Sequence, residues 1–348
     1  MNALKRIPAR RTGACAVAAA TVLLVAGCGG SNDESGSGND GGPASVKVVV
    51  STASISYAPL YIAVKQGFFK DQKLTVSITT VSGGGATVPA LQSGSAQFGF
   101  SSVFHQLDAV QQGQKIVSIA AVNTGEGLDV VVSKKKAAQL GLNANSTLAQ
   151  KGQALKHLKV GVISTSGEPY YVLSDLARAG GVDPSELNME AVASSAAITA
   201  MKTGQIDAMT IGLPVTTEAI EQAGAQILVS CPAGDLPDLH EAPTETVLAS
   251  ASYVTSHASV TSRFVKAIGQ AEAYLKANSD QAAETVRTGY FAKVDKQVFD
   301  TAWAEIANVT PAEPTLTAEQ LQRTVDFVSR ASGKKVKATG DQLLGVVK

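Results

Sequence analysis

Two short stretches carry the residue types best suited to hold a small polar molecule, and they share one spacing. SISYAPLY (54–61) follows the apolar run VKVVV, and STSGEPYY (164–171) follows LKVGVI. At an offset of 110, Ser54, Ser56, Pro59 and Tyr61 fall on Ser164, Ser166, Pro169 and Tyr171. The start of a helix presents unpaired N–H donors and the positive end of its dipole. Serine hydroxyls beside it recognise a ligand without covalent chemistry. Ser56 and Ser166 stand where a helix cap belongs, and proline in the first turn loses no helix hydrogen bond. Capping alone accounts for the serines. The functional reading adds that ligands of open α/β sheets bind beyond the carboxyl ends of the strands.

Catalysis finds little support. His105, His157, His240 and His257 have no metal-ligand spacing, and HExxH, CxxC and GxSxG are absent. We therefore expect a protein that is not an enzyme and has no metal and no cofactor. Formal charge is zero over 348 residues, which argues against a nucleic-acid binder with a basic face.

The elements that must position the serines alternate between strand-like and helical patterns: VKVVV, YAPLYIAVKQGFF, LTVSI, TVPALQSG and QFGFS. This order predicts an α/β architecture. The 110-residue offset continues: Val88, Leu91 and Gly94 map onto Ile198, Met201 and Gly204, and ALQSGSAQFGF onto AMKTGQIDAMT. Two lobes of related design follow. Residues 258–330 read as mainly helical, with a stripe of Phe264, Ile268, Ala271 and Leu275 and a capping box at Thr317 and Gln320. A tail of this kind is expected to pack back on the first lobe. The chain would then cross between lobes near 127–133 and 245–252, a two-segment hinge. The expected division is 46–130 plus 249–348 for the first lobe and 131–248 for the second.

The amino-terminus reads as an export signal. Lys5, Arg6, Arg10 and Arg11 precede fifteen apolar residues (13–27), too few for a comfortable span but suited to a signal-peptide core. VAGC, ending at Cys28, resembles a bacterial lipobox, which predicts a signal peptide over 1–27 and lipidation at Cys28. Residues 28–45 read as a flexible linker rich in Gly, Ser, Asn and Asp, with a reach of roughly 20–25 Å. Cys231 is the one cysteine left in the body. It reads as a small core residue.

Further loops fall at the same ends of the predicted strands: SGGGAT (82–87), SSVFH (101–105) and GLPVTT (212–217). Together with SISYAPLYIAVKQGFFKDQKL and AMKTGQIDAMTIGLP, they make the chain resemble the solute-binding proteins of ABC importers. The class is that of nitrate, sulfonate and taurine, which also includes binders of pyrimidine precursors. The resemblance implies a two-lobed, type II-like periplasmic-binding-protein fold closing on its ligand. The implied site is Ser54, Ser56, Tyr57, Gly84, Gly85, Thr87, Ser102, Ser164, Ser166, Leu213 and Thr216. Tyr170 joins it as a ring placed to stack or to pack in the core. The partners implied are a small molecule, a permease and an ATPase, for a monomer anchored by lipid outside the cytoplasm.

No arginine falls in these loops, so a bidentate clamp on an anion is absent. A monovalent organic anion, sulfonate-like or aromatic, is the expected ligand. Glu126 and Glu168 near the rim stand ready to pair with an amine or to be solvated. A pyrimidine-type vitamin precursor is the alternative, and an enzyme or a sensor on the same scaffold stands behind it.

Overall fold

The computed structural model describes residues 41–347 apart from 52, 82–83, 144, 166, 214 and 241, and omits the side chains of 194 and 195. The expected signal peptide, Cys28, the linker up to residue 40 and Ser166 therefore lie outside the described residues. Among those described, no helix is long and apolar enough to cross a membrane.

The first strands are β1 (Ala44–Val50), β2 (Leu74–Thr80), β3 (Phe98–Ser102) and β4 (Ile116–Ala121). A second set follows: β5 (Leu128–Ser133), β6 (Lys159–Val162), β7 (Asn188–Ala191), β8 (Ala208–Gly212) and β9 (Ala225–Ser230). Last comes β10 (Glu245–Ser250). They form two five-stranded sheets, ordered β2-β1-β3-β10-β4 and β7-β6-β8-β5-β9. The plan is the same in both. In each, one strand runs antiparallel between its neighbours, β10 between β3 and β4 and β5 between β8 and β9. Both inserted strands carry an irregularity in register, at Val247/Leu248 and Val130/Val131. The 110-residue offset carries β3 onto β8 residue for residue.

Alternation explains why these runs are strands. Val46, Val48 and Val50 face one core with Phe98 and Phe100, while Val49 faces another with Val88 and Leu91. In the second sheet Val130 and Val132 divide from Val131 in the same way. A strand apolar on both faces must be covered on both, and helices cover it.

The segments between sheets are 122–127 and 231–244. The stretches 127–133 and 245–252, read from sequence as crossovers, consist mainly of β5 and β10, whose apolar middles pair within the sheets. The true connectors lie just before each and run side by side. Gly125 N–H donates to Ala242 O (2.8 Å) and Val122 N–H to Glu245 O (2.9 Å). Gly125 has φ +92°, and a Cβ there would stand 2.8 Å from His240 O, so the crossing requires glycine.

The helical tail divides its packing. Phe264, Ile268, Ala271 and Leu275 of the Ala258–Ala277 helix are fully buried against the first sheet's core. The Ala318–Ser332 helix opens with the predicted capping box of Thr317 and Gln320, but it does not stay with the first lobe. Leu321, Val325 and Val328 join a core that holds Val130, Val160 and Leu173 of the second lobe and Phe104 of the first. Its Arg330 pairs with Asp175 at 2.7 Å and also with Asp238, both on second-lobe helices. The buried apolar face of this helix accounts for the departure, and the two carboxylates add to it.

Glu272 on the Ala258–Ala277 helix is fully buried, with neither carboxyl oxygen hydrogen-bonded. Burial raises its carboxyl to about 9, offset in part by Lys276, so it is neutral at physiological pH. A raised carboxyl contributes stability that is lost as pH rises through its folded value. Glu272→Gln is expected to match the parent in thermal melts near pH 4.5 and to exceed it by a margin that grows up to about pH 9. A variant that melts in parallel with the parent across that range would refute the assignment.

Candidate functional site

Loops after β1, β6 and β8 meet the start of β10 between the two sheets and enclose a cavity of about 720 Å³. That volume suits a small organic ligand. On the first lobe, the Ser54 side chain accepts the Ser56 N–H at 3.1 Å and caps the short turn Ile55–Tyr57. The Ala58–Lys65 helix follows, with Pro59 in its first turn. The cap is thus Ser54 rather than Ser56, because a 3-10 turn intervenes before the helix. Both serines line the cavity.

Tyr57 does not line it. Its ring is buried beneath the site, with its hydroxyl 2.6 Å from Ser51 Oγ and donating to Glu245 Oε2 at 3.4 Å. It holds a wall residue. On the second lobe, Ser164 is half-buried on the loop that carries Ile163, a lining residue. The Glu168–Ala179 helix then begins, with Pro169 in its first turn. Tyr170 is half-buried and meets Tyr171 edge-on, with ring centroids 5.6 Å apart.

The remaining expected residues divide. Gly84 and Gly85 form the turn before the Thr87–Gln92 helix, Gly85 stands outside the lining, and Thr87 is fully buried. Ser102 is buried and caps the Val103–Gln111 helix by accepting the Phe104 N–H at 3.2 Å. Leu213 lines the cavity. Thr216 is buried and donates to Ile211 O at 3.4 Å.

The cavity's charged residues are all acids. Glu126, Glu168, Glu245 and Glu305 line it, and no lysine, arginine or histidine does so among the described residues. Glu126 sits on the first connector and is only 3 % exposed, and its Oε2 accepts no hydrogen bond from an N–H or hydroxyl among the described residues. Burial, followed by the neighbouring Glu168 and Glu245, raises its carboxyl well above the ordinary 4.5. Glu168 is within hydrogen-bonding reach of it. Glu245 is likewise raised, by burial and then by Glu168, while Tyr57 pulls it back. Glu305 is raised to about 7 by burial and then by Asp129.

Sequence reasoning placed Glu126 and Glu168 at the rim but did not single out Glu245 or Glu305. Glu245 announces itself only as the polar residue opening an apolar strand. Glu305 lies in the Lys296–Val309 helix, where a polar position reads as solvated. Tyr290 and Phe291 add an aromatic wall from the helical tail. No group of three or more His, Cys, Asp or Glu among the described residues is arranged to hold a metal ion.

Two α/β lobes of one plan around a shared cavity make this a periplasmic-binding-protein fold. An alkanesulfonate-binding protein of Xanthomonas axonopodis pv. citri, solved with bound MOPS, superposes with a TM-score of 0.66 at 16 % identity over 88 % of this chain and 99 % of that one. The periplasmic aliphatic sulphonate binding protein of Escherichia coli gives 0.66 at 18 %, covering 87 % and 97 %. A protein of Bordetella bronchiseptica RB50 gives 0.68 at 24 %, covering 86 % and 94 %. The chain belongs to the NMT1-like family, whose model matches residues 42–288. The putative binding protein YtlA of Bacillus subtilis (strain 168) is 34 % identical over 88 residues, a match spanning 25 % of this chain and 26 % of that one.

Proposed function

We propose that this protein is the extracytoplasmic solute-binding component of an ABC importer. It is exported by its amino-terminal signal, anchored as a monomer by lipid at Cys28, and works without catalysis. It closes two lobes on a small molecule and presents it to a permease driven by an ATPase. One observation carries the reading: the cavity draws its walls from both sheets, while two hydrogen-bonded connectors join the lobes beside it. That is the layout of a hinged clamp.

Two observations bear on the ligand's charge. The sulfonate-binding neighbours favour an organic anion, the expectation drawn from the sequence resemblance, but the acidic lining offers such a ligand no cationic partner.

Solute binding is tested by thermal shift against sulfonates, nitrate, carboxylates, amines and pyrimidines. A ligand at 100 times its Kd adds about 2.7 kcal/mol. Stabilisation by one chemical class supports the clamp. Stabilisation by none, with the protein demonstrably folded, defeats it.

A further inference from the structure

Resting on the reading of the cavity as a solute site, we propose that it takes an organic cation: a small molecule with an N–H-bearing head, such as a protonated amine or amidine, on an apolar body. Glu126 and Glu168 are the groups that receive the head.

Three observations converge. Glu126 is nine-tenths buried and more, it lines the cavity, and its Oε2 accepts no hydrogen bond from an N–H or hydroxyl among the described residues. In the empty cavity the only relief is a proton shared with Glu168, and a donor from the ligand is what completes the site once that proton leaves. The second observation is composition. Four glutamates and no basic side chain line the cavity among the described residues, so its field favours positive charge. Third, apart from Ser54, Ser56, Asn123 and Thr244, the rest of the lining is apolar. Ile163 is 53 % exposed and Tyr290 37 % exposed, unusual for large hydrophobic groups, and both face the cavity. An apolar body packed there removes them from water.

The alternatives fit less well. A bare metal ion lacks its ligand set among the described residues. A sulfonate or carboxylate would meet four acidic side chains and no cationic partner among the described residues. A fully methylated ammonium satisfies the charge but gives Glu126 Oε2 no hydrogen.

Glu168 occupies the first turn of its helix. In the empty cavity, burial and then the neighbouring Glu168 and Glu245 favour the protonated form of Glu126. A cation arriving at the pair stabilises both carboxylates, so the proton on Glu126 leaves for solvent as the ligand binds. Binding should therefore release protons and weaken as pH falls.

The test uses four probes that share a phenyl ring: benzylamine, benzamidine, benzoate and benzenesulfonate. Calorimetry or ligand-observed NMR on the intact protein gives affinities, and calorimetry in buffers of different ionisation enthalpy gives the protons released. The expected result is binding of benzylamine or benzamidine with proton release, and none by the anions. Glu126→Gln should lower that affinity roughly ten- to hundredfold, the scale of a lost charge-assisted hydrogen bond. The variant should also melt no lower than the parent without ligand, since it removes a buried ionisable group. Glu168→Gln serves as a second variant should that one fail to fold.

Binding of the anions in place of the cations would overturn the inference and leave the clamp standing. Binding of benzyltrimethylammonium as tightly as benzylamine would overturn the hydrogen-bonding head. Silence from all the probes would count against the inference, and silence from every class in the wider screen against the clamp as well.

Discussion

Gly152→Ala does not accumulate as a folded protein. Gly152 lies in the Leu148–Ala154 helix, where it crosses the end of the Glu168–Ala179 helix. A Cβ at 152 would stand 1.9 Å from Leu176 O and 2.9 Å from Gly180 N. From the other side, a Cβ at Gly180 would meet Gln153 N at 2.1 Å. The opposing atoms are backbone in every case, so no side chain can rotate away. Relief requires the two helices to part, which pulls Val172, Leu173 and Leu176 from the core they share with Leu155 and Leu158. Overpacking a core costs about 1–3 kcal/mol and sometimes more, against a total stability of about 5–15 kcal/mol. A clash of backbone on backbone belongs at the upper end. Gly85→Ala is the control: its Cβ would meet nothing within 4 Å. Soluble yield and urea midpoints should separate the two, with the control within about 0.5 kcal/mol of the parent. A Gly152→Ala protein of parental midpoint would show that the helices cross with room to spare.

The ligand-free protein melts at higher temperature in mild acid than in mild base. The carboxyls of Glu126, Glu245, Glu305 and Glu272 all lie above the ordinary 4.5 in the folded chain, chiefly through burial. The unfolded chain loses these protons first. Stability is therefore fullest below about 4.5 and drains as pH rises through the folded values, about 7 for Glu305 and about 9 for Glu272. Each proton retained on folding is worth about 1.4 kcal/mol per pH unit. Around Glu126 stand Glu168, Glu245 and the thiol of Cys231, whose own ionisation is suppressed by burial and then by Glu126. Tyr57 faces Glu245, and Asp129 faces Glu305. Among the described groups around these four carboxyls, the one cation is Lys276 beside Glu272, and it offsets the effect of burial without reversing its sign. Thermal melts from roughly pH 5 to 8 check the slope, and Glu305→Gln with Glu272→Gln should flatten it. A stability maximum at the alkaline end would contradict the assignment.

Much of the fold was legible because it is duplicated. The offset that aligns Ser54 with Ser164 also aligns β3 with β8, since each lobe repeats a parallel strand, a helix and a return. The Phe264 to Leu275 stripe was legible from period alone. Local chemistry was harder to read. Ser54 and Ser56 both suit a cap, and only the 3-10 turn decides between them. The Ala318–Ser332 helix buries its apolar face against second-lobe residues such as Val160 and Leu173, and its Arg330 meets Asp175 and Asp238, 155 and 92 positions away, so no local pattern shows where it packs. The acidic cavity was least legible. Its glutamates come from a connector, a helix start, a strand start and the helical tail, and no sequence period links them. Where the sequence showed absent arginines, the structure adds four acids.

The inserted strands also set an order of assembly. Every strand of the second sheet lies between Leu128 and Ser230, so that sheet has all its parts once residue 230 has left a ribosome or a translocation channel. The first sheet does not. Its β3 and β4 stay unpaired along facing edges until β10 arrives some 125 residues after β4, with the whole second lobe made in between. The lobe begun first is thus finished last, and its open edges are exposed in the interim to any binding factor that recognises unpaired strands.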